Sequence, residues 1–353
     1  MFFDNLAFMY RCIKPFAILF LLFCSGCSSR AEWLEEVTRT HQIRYTATER
    51  LTINKEAFSA NITTHKFNNG EGVINFEDIV TSIGDWAFAY RENLTSIIIP
   101  ECVTEIGGQA FFYCSSLASI TIPDSVTSIG YSAFDGCSSL ASVTIGKGVT
   151  SIGHSAFDGC SSLTDVYISD IAAWCGISFG SFDANPLHRA CNLYLNGKLV
   201  TDLIIPEGVE SIEHLAFYGC SSLASITFPE SVTSIGQGVF SNCSSLASIT
   251  IPDGVTSIGD SAFYDCSSLT SITIPDSVTS IGGQAFYYCS SLAEVYCKAT
   301  TPPTAIPNSS SKWRAFDSNA SGRKIYVPEE SVEAYKTAEW WSEYADAIVG
   351  YRF

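Results

Sequence analysis

The chain has 353 residues, of which 46% are hydrophobic and only 16% charged, and its formal net charge is -17. This balance is apolar enough to fold and too lightly charged for a disordered polymer. The acidic excess excludes nucleic acid as a partner and works against attraction to anionic lipid headgroups, since both would be repelled.

At the N-terminus, Arg11 and Lys14 precede the apolar run Phe16-Ala17-Ile18-Leu19-Phe20-Leu21-Leu22-Phe23. The small residues Ser25 and Gly26 follow, then Cys27. This is the three-part plan of a secretory signal. The run falls well short of the roughly 18 residues that a spanning helix needs. Ser-Gly-Cys after such a run resembles a bacterial lipobox. That resemblance implies removal of residues 1–26 and acylation of Cys27 as the first mature residue. Cys24 departs from the Leu usual at that position, and an ordinary cleaved signal is the alternative. Met9 opens a cleaner signal than Met1 does.

Residues 27–80 read as a leader and N-terminal cap with short strands. From 81 to 299 the chain is periodic. The segments SIGDWAF, EIGGQAF, SIGYSAF, SIGHSAF, SIEHLAF, SIGQGVF, SIGDSAF and SIGGQAF end in Phe88, Phe111, Phe134, Phe157, Phe217, Phe240, Phe263 and Phe286. The step is 23 residues, except for 60 between Phe157 and Phe217. Within a unit, Ile120, Thr121 and Ile122 alternate as a strand with one face buried. Pro123 stops that strand because it has no N–H to donate. Val126-Thr127-Ser128-Ile129 forms a second extended run, closed by Gly130. Ala133-Phe134 opens a stretch too short for a stable lone helix, and the expectation there is a single helical or 3₁₀ turn. No unit can bury its Leu, Ile and Phe alone. Stacking equivalent strands about 4.8 Å apart makes one core, with each Phe resting on the next.

The unit I-G-x-x-A-F-x-x-C-S-S-L-x-S-I-x-I-P-x-x-V-T-S resembles the BspA-like leucine-rich repeats of bacterial surface antigens, over roughly residues 42–353. Ile43-Arg44-Tyr45-Thr46-Ala47-Thr48 and Gly70-Glu71-Gly72-Val73-Ile74 look like that family's leader module. Ile325-Tyr326-Val327-Pro328 with the following Ser331 to Lys336 looks like its C-terminal end. The resemblance implies a leucine-rich-repeat solenoid, mainly β, with a parallel sheet, short helical or 3₁₀ turns and a C-terminal capping helix. It also implies a place in the bacterial cell envelope, at the outer membrane and exposed on the surface, and a role in adhesion or attachment.

The break at 164–210 begins with a normal strand, Val166-Tyr167-Ile168. Asp170 then caps a short helix reaching Cys175. Asn185-Pro186 marks a turn, and Asn196-Gly197 is a hairpin signal between Asn192-Leu193-Tyr194-Leu195 and Lys198-Leu199-Val200. Leu203-Ile204-Ile205-Pro206 rejoins the repeat. The segment reads as enlarged turns within one solenoid, with a small inserted domain as the alternative. Residues 300–353 read as the C-terminal cap. They comprise a proline-rich loop over 300–308 and an amphipathic helix over 331–347 whose apolar surface is Val332, Tyr335, Trp340, Trp341 and Tyr344.

Seven cysteines share one repeat position: Cys114, Cys137, Cys160, Cys220, Cys243, Cys266 and Cys289. They read as small buried hydrophobes, with inter-rung disulfides or metal binding as alternatives. No paired C-x₂-C ligands occur within the repeats. His154 and His214 fall at variable positions and are expected to face solvent. No triad, phosphate loop or carboxylate pair stands out, so neither a metal nor another cofactor is expected, and the chain does not read as an enzyme.

The outward strand positions form two rows. One holds Ser119, Ser142, Asp165, Ser225, Ser248, Ser271 and Glu294. The other holds Thr121, Thr144, Tyr167, Thr227, Thr250, Thr273 and Tyr296. Such rows resemble the surfaces that repeat proteins offer to extended partners. Tyr167, Tyr296 and the region of Trp174 break the monotony with residue types favoured at interfaces. The expected partner is a protein or glycoprotein, and the membrane is met only through the lipid. Other readings are an envelope spacer without a ligand and, third, an enzyme sited within 164–210.

Overall fold

The structure, a computed structural model, describes residues 40–306 and 314–353. The signal, Cys27 and Ser309-Ser310-Ser311 lie outside the described residues. The chain falls into two compact units, divided between Val166 and Tyr167.

The first unit opens with an antiparallel sheet. Gln42–Ala47 pairs with Glu71–Phe76 on one side and with Leu94–Ile98, the first repeat strand, on the other. Ile62–Asn68 forms a hairpin with Glu71–Phe76. Asn69 and Gly70 make its turn at φ 50° and 86°, which suits the sheet twist. Ile43, Tyr45 and Ala47 alternate into the core. The repeats that follow are parallel and in register, as the 23-residue period requires. Ser119–Ile122 pairs with Ser142–Ile145 residue for residue. The second runs stack too: Ser82–Ile83, Glu105–Ile106, Ser128–Ile129 and Ser151–Ile152 lie side by side.

The expected phenylalanine column is present. Ring centroids of Phe88, Phe111, Phe134 and Phe157 are 5.3, 5.1 and 5.3 Å apart in sequence, with planes within 12° of parallel. This is offset stacking, the favourable arrangement for rings that repel when directly superposed. Phe58 meets Phe88 edge-on at 5.6 Å and closes the column with a ring from the cap. In the second unit Phe217, Phe240, Phe263 and Phe286 continue the same pattern at 5.5, 5.6 and 5.3 Å. A further ring, Phe316, stacks on Phe286 at 5.4 Å with planes 2° apart. Its rung also supplies Thr304–Ile306 to the short sheet and Lys324–Pro328 to the long one. Trp341 and Tyr344 then close this end against Phe316.

The stretch after each Gly is a chain of turns, where a helical or 3₁₀ turn was expected. The N–H groups of Asp135 and Cys137 return to the carbonyls of Ser132 and Phe134. Those of Ser132, Phe134 and Gly136 instead cross to the carbonyls of His154, Ala156 and Asp158 in the next rung. Alternate amides are committed to a neighbour, so no helical ladder can propagate. The geometry forces two left-handed residues per rung, Ser132 and Gly136 here, at φ 47° and 74°.

The irregular segment of the second unit follows its sequence signals. Asp170 Oδ1 accepts from the Ala173 N–H and caps the helix Ile171–Cys175. Phe182–Ala184 is a 3₁₀ turn and Leu187–Ala190 a single helical turn. Asn192–Leu195 and Lys198–Leu199 form the hairpin around Asn196 and Gly197, both at positive φ. Asp202–Ile204 then joins Ser225–Thr227 in parallel.

The helix expected over 331–347 is broken in two. Val332–Thr337 is helical and Trp341–Ala347 is 3₁₀. The break lies at Trp340, with φ 70°. Three buried polar tips explain it. Tyr335 Oη donates to the Ala299 carbonyl, Trp341 Nε1 to the Pro303 carbonyl, and Tyr344 Oη to Asp317 Oδ1, each at 2.8 Å. One straight helix cannot present all three to partners spread across the last rung. Val332 and Trp340 are only half-buried, whereas the other three are buried.

Candidate partner-binding face

The rows of outward residues on the long sheets are real, and pairing sets their alignment. In the first unit Ser119 lies beside Ser142 and Thr121 beside Thr144. In the second, Ser225 faces Ser248, Thr227 faces Thr250, Ser271 faces Glu294 and Thr273 faces Tyr296. Between these residues the buried Ile and Val positions hold the strands to the core, so the hydroxyls stand out by alternation alone. Asp165 and Tyr167 are half-buried on the strand Asp165–Ile168.

Tertiary structure adds residues that the single rows did not show. The Tyr167 ring stacks on Tyr194 at 4.8 Å. The Tyr296 ring stacks on Tyr326 at 4.7 Å, and Tyr351 meets both edge-on at 5.5 Å. Phe353 lies against Tyr351. The signal was present in the sequence. Asp165-Val166-Tyr167-Ile168, Asn192-Leu193-Tyr194-Leu195, Glu294-Val295-Tyr296-Cys297 and Lys324-Ile325-Tyr326-Val327 share one polar-apolar-Tyr-apolar pattern. It becomes informative once pairing brings the strands together.

The face is also acidic. Tyr296 Oη donates to Glu294 Oε2 at 3.1 Å. Asp202, beside Ser225, accepts from the hydroxyls of Ser225 and Thr201. These hydrogen bonds hold its carboxyl below the usual carboxylate range, against a small opposing effect of desolvation. Trp174 does not belong to the face. It is 1% exposed, and its Nε1 donates to the Ala216 carbonyl at 2.8 Å. Asn185, fully buried, sends Nδ2 to the Leu215 and Ala216 carbonyls. In a regular rung the preceding Phe amide serves that Ala carbonyl, as Phe134 serves Ala156. The two side chains replace an amide that the irregular segment lacks, which is why this tryptophan is inside.

The cysteine position is a column of buried thiols, none of them in a disulfide. Each Sγ–H reaches the Phe carbonyl of the rung before it: Cys114 to Phe88, Cys137 to Phe111, Cys160 to Phe134, Cys243 to Phe217, Cys266 to Phe240 and Cys289 to Phe263, at 3.1–3.3 Å. Cys220 follows the irregular segment and contacts Ser222 Oγ instead. Burial pushes the Cys114 and Cys220 thiols up to about 12 and the Cys137, Cys243 and Cys266 thiols well above the ordinary range. Such thiols are poor nucleophiles and poor ligands at neutral pH. Among the eleven described cysteines only Cys191 is exposed. A thiol-reactive dye should therefore label Cys191 of the native protein within minutes and the other ten only on unfolding. Rapid labelling that persists in Cys191→Ser at the repeat positions would contradict this packing.

His154 and His214 are exposed, as expected. His214 is also tied to its neighbour, since its Nδ1 accepts from the Gln237 N–H at 2.8 Å. Asp85 and Asp260 accept in the same way from Gly108 and Gly283. His188 rests its ring against Phe182 and Tyr218.

Comparison with known proteins agrees with this architecture. The BspA type leucine rich repeat region matches residues 52–179 and 191–310, in six copies. Solved structures similar to the chain include a leucine-rich repeat protein of Bacteroides ovatus. It is 20% identical, with 86% of this chain and 100% of that one covered and a TM-score of 0.34. A leucine rich cell surface protein of Faecalibacterium prausnitzii is 28% identical, with coverages of 73% and 86% and a TM-score of 0.33. The pneumococcal vaccine antigen PcpA is 18% identical, with coverages of 83% and 88% and a TM-score of 0.47. No curated protein matches the chain. With 23-residue rungs, a stacked phenylalanine column and a family match over most of its length, the chain belongs to the BspA type leucine-rich repeat family.

Proposed function

We propose that the chain is a lipid-anchored binding protein of a bacterial cell surface, acylated at Cys27, which holds a protein or glycoprotein partner through its sheet face. The tyrosine pairs carry this reading. On a face made mostly of Ser and Thr with a few carboxylates, Tyr167–Tyr194 and Tyr296–Tyr326 present rings that stack on each other and stay partly open to solvent. Tyrosine contributes large contact area at small entropic cost and keeps a hydroxyl for orientation. The Ser and Thr rows between the pairs supply hydrogen-bonding groups without bulk. Family membership supports the location, and the similar leucine rich protein of Faecalibacterium prausnitzii is a cell surface protein.

The test is attachment of cells displaying the chain to an immobilised panel of host and bacterial glycoproteins, combined with protease treatment of intact cells. Wild-type cells should attach to at least one surface and lose attachment on shaving. The pair of substitutions Tyr296→Ser and Tyr326→Ser should weaken it at least tenfold. Cys27→Ala should release the chain from the membrane fraction. Attachment indifferent to both tyrosines would remove the sheet face from the reading. The plainness of the Ser and Thr rows favours a second reading, an envelope spacer, for which no surface in the panel would retain the cells.

A further inference from the structure

A second surface lies on the wall of turns, and its composition differs from that of the sheet. In the first unit Trp86, Tyr90, Phe112 and Tyr113 form one contiguous patch. Trp86 lies 6.4 Å from Tyr90 and 5.8 Å from Phe112, Tyr90 lies 5.4 Å from Phe112 and 6.0 Å from Tyr113, and Phe112 lies 4.7 Å from Tyr113. Tyr90 and Tyr113 are 55% and 48% exposed, so stacking does not cover them.

Stability does not account for these rings. Trp86, Tyr90 and Tyr113 sit at φ 59°, 58° and 55°, in the left-handed region that bulky side chains avoid. The positions of Tyr90 and Tyr113 are filled by Gly136, Gly159 and Gly219 in other rungs, where the backbone meets no such penalty. The repeat thus has an easier residue for this position and does not use it here. The second unit repeats the departure, with Tyr288 at φ 61° in contact with Tyr264 and Tyr287.

The charge carried by the ring positions themselves has one sign. The two positions after each column Phe hold Ala89 and Tyr90, then Phe112 and Tyr113, in these rungs; the first of the two is Asp135 and Asp158 in the next two rungs, and Asp265 and Asp317 fall at one or other of the two in the second unit. No Lys or Arg occupies either position in any rung. Arg91, next to Tyr90 in sequence, turns its guanidinium to the Thr52 and Tyr90 carbonyls. Exposed ring faces beside carboxylates, with the Arg91 guanidinium engaged by two carbonyls, complement guanidinium and ammonium groups. Such groups gain from the ring quadrupole and the carboxylate together. We infer that the turn wall is a docking surface for an extended Arg- and Lys-rich segment of another protein, separate from whatever the sheet face holds.

The experiment measures fluorescence anisotropy of a labelled decapeptide of alternating Arg and Gly with the full chain at about physiological ionic strength. A Glu-Gly peptide and a neutral Ser-Gly peptide serve as controls, with maltohexaose as a competitor. The Arg peptide should bind, and the controls should not. Tyr90→Gly with Tyr113→Gly leaves net charge unchanged and installs the residue that other rungs use. It should weaken binding at least tenfold while the melting temperature stays equal or rises. Asp135→Asn with Asp158→Asn should weaken binding and flatten its salt dependence. Tyr296→Ser should leave binding intact, which separates this surface from the sheet face. Equal affinity in the Tyr90 and Tyr113 double variant would show only non-specific attraction to an acidic protein and would overturn the inference. Displacement of the Arg peptide by maltohexaose would do so as well, by reassigning the rings to a glycan.

Discussion

Phe240→Ala should lower the unfolding free energy by about 3–5 kcal/mol, a large part of the roughly 5–15 kcal/mol typical of a folded domain. Phe240 is fully buried, with Phe217 at 5.5 Å and Phe263 at 5.6 Å on its two faces and Phe228 edge-on at 5.9 Å. Removing the ring leaves a cavity walled by neighbours that are themselves pinned by in-register strands, so little collapse can fill it. In a repeat array the loss is felt twice, because the rung's interfaces with both neighbours weaken. Phe353→Ala, at a ring 52% exposed, should change stability by no more than about 0.5 kcal/mol. Guanidinium denaturation of the two variants measures the contrast. A loss below about 1 kcal/mol at Phe240 would mean the column is not the core.

Asn185→Ala should cost about 2–3 kcal/mol, although the residue lies in the irregular segment. Its Oδ1 accepts from the Leu187 N–H at 2.9 Å, and its Nδ2 donates at 2.7 and 3.1 Å to the Leu215 and Ala216 carbonyls. After truncation the buried Leu187 amide has lost its acceptor and cannot reach water. Trp174→Phe removes the other side-chain donor to the Ala216 carbonyl and should cost about 1 kcal/mol. Asn185→Asp makes a sharper test. A buried carboxylate would face two carbonyl oxygens, so its pKa would rise in the folded state. The penalty should then be largest at neutral pH and shrink as pH falls and the carboxyl regains a proton to donate. A penalty for Asn185→Asp that did not change with pH would show that the side chain has turned away from those carbonyls.

The two results bear on different kinds of information. Phe240 is legible in the sequence because the 23-residue period repeats it in a constant frame, and burial of like residues over like residues is the only way each unit can hide its ring. The same logic identified the Ser and Thr rows, the Asn196-Gly197 hairpin and the Asp170 cap, since alternation, turn chemistry and capping act over a few residues. The cysteines were legible as a column but not as donors, because the Phe carbonyl they reach belongs to the previous rung.

Local sequence by itself determined the rung: strand, proline stop, second strand, glycine and buried Phe. Only tertiary structure decided what breaks the rung. Trp174 reads as an interface residue and is a core donor, because the amide it replaces is missing from a different stretch of chain. The single helix expected at the C-terminus is two, because Tyr335, Trp341 and Tyr344 each answer a polar group on the last rung. The turns refuse to become helical because alternate amides are claimed by the neighbouring rung. In each case the deciding partner lies tens of residues away, where neither periodicity nor propensity reaches, and the cost of leaving a buried polar group unmade outweighs local preference.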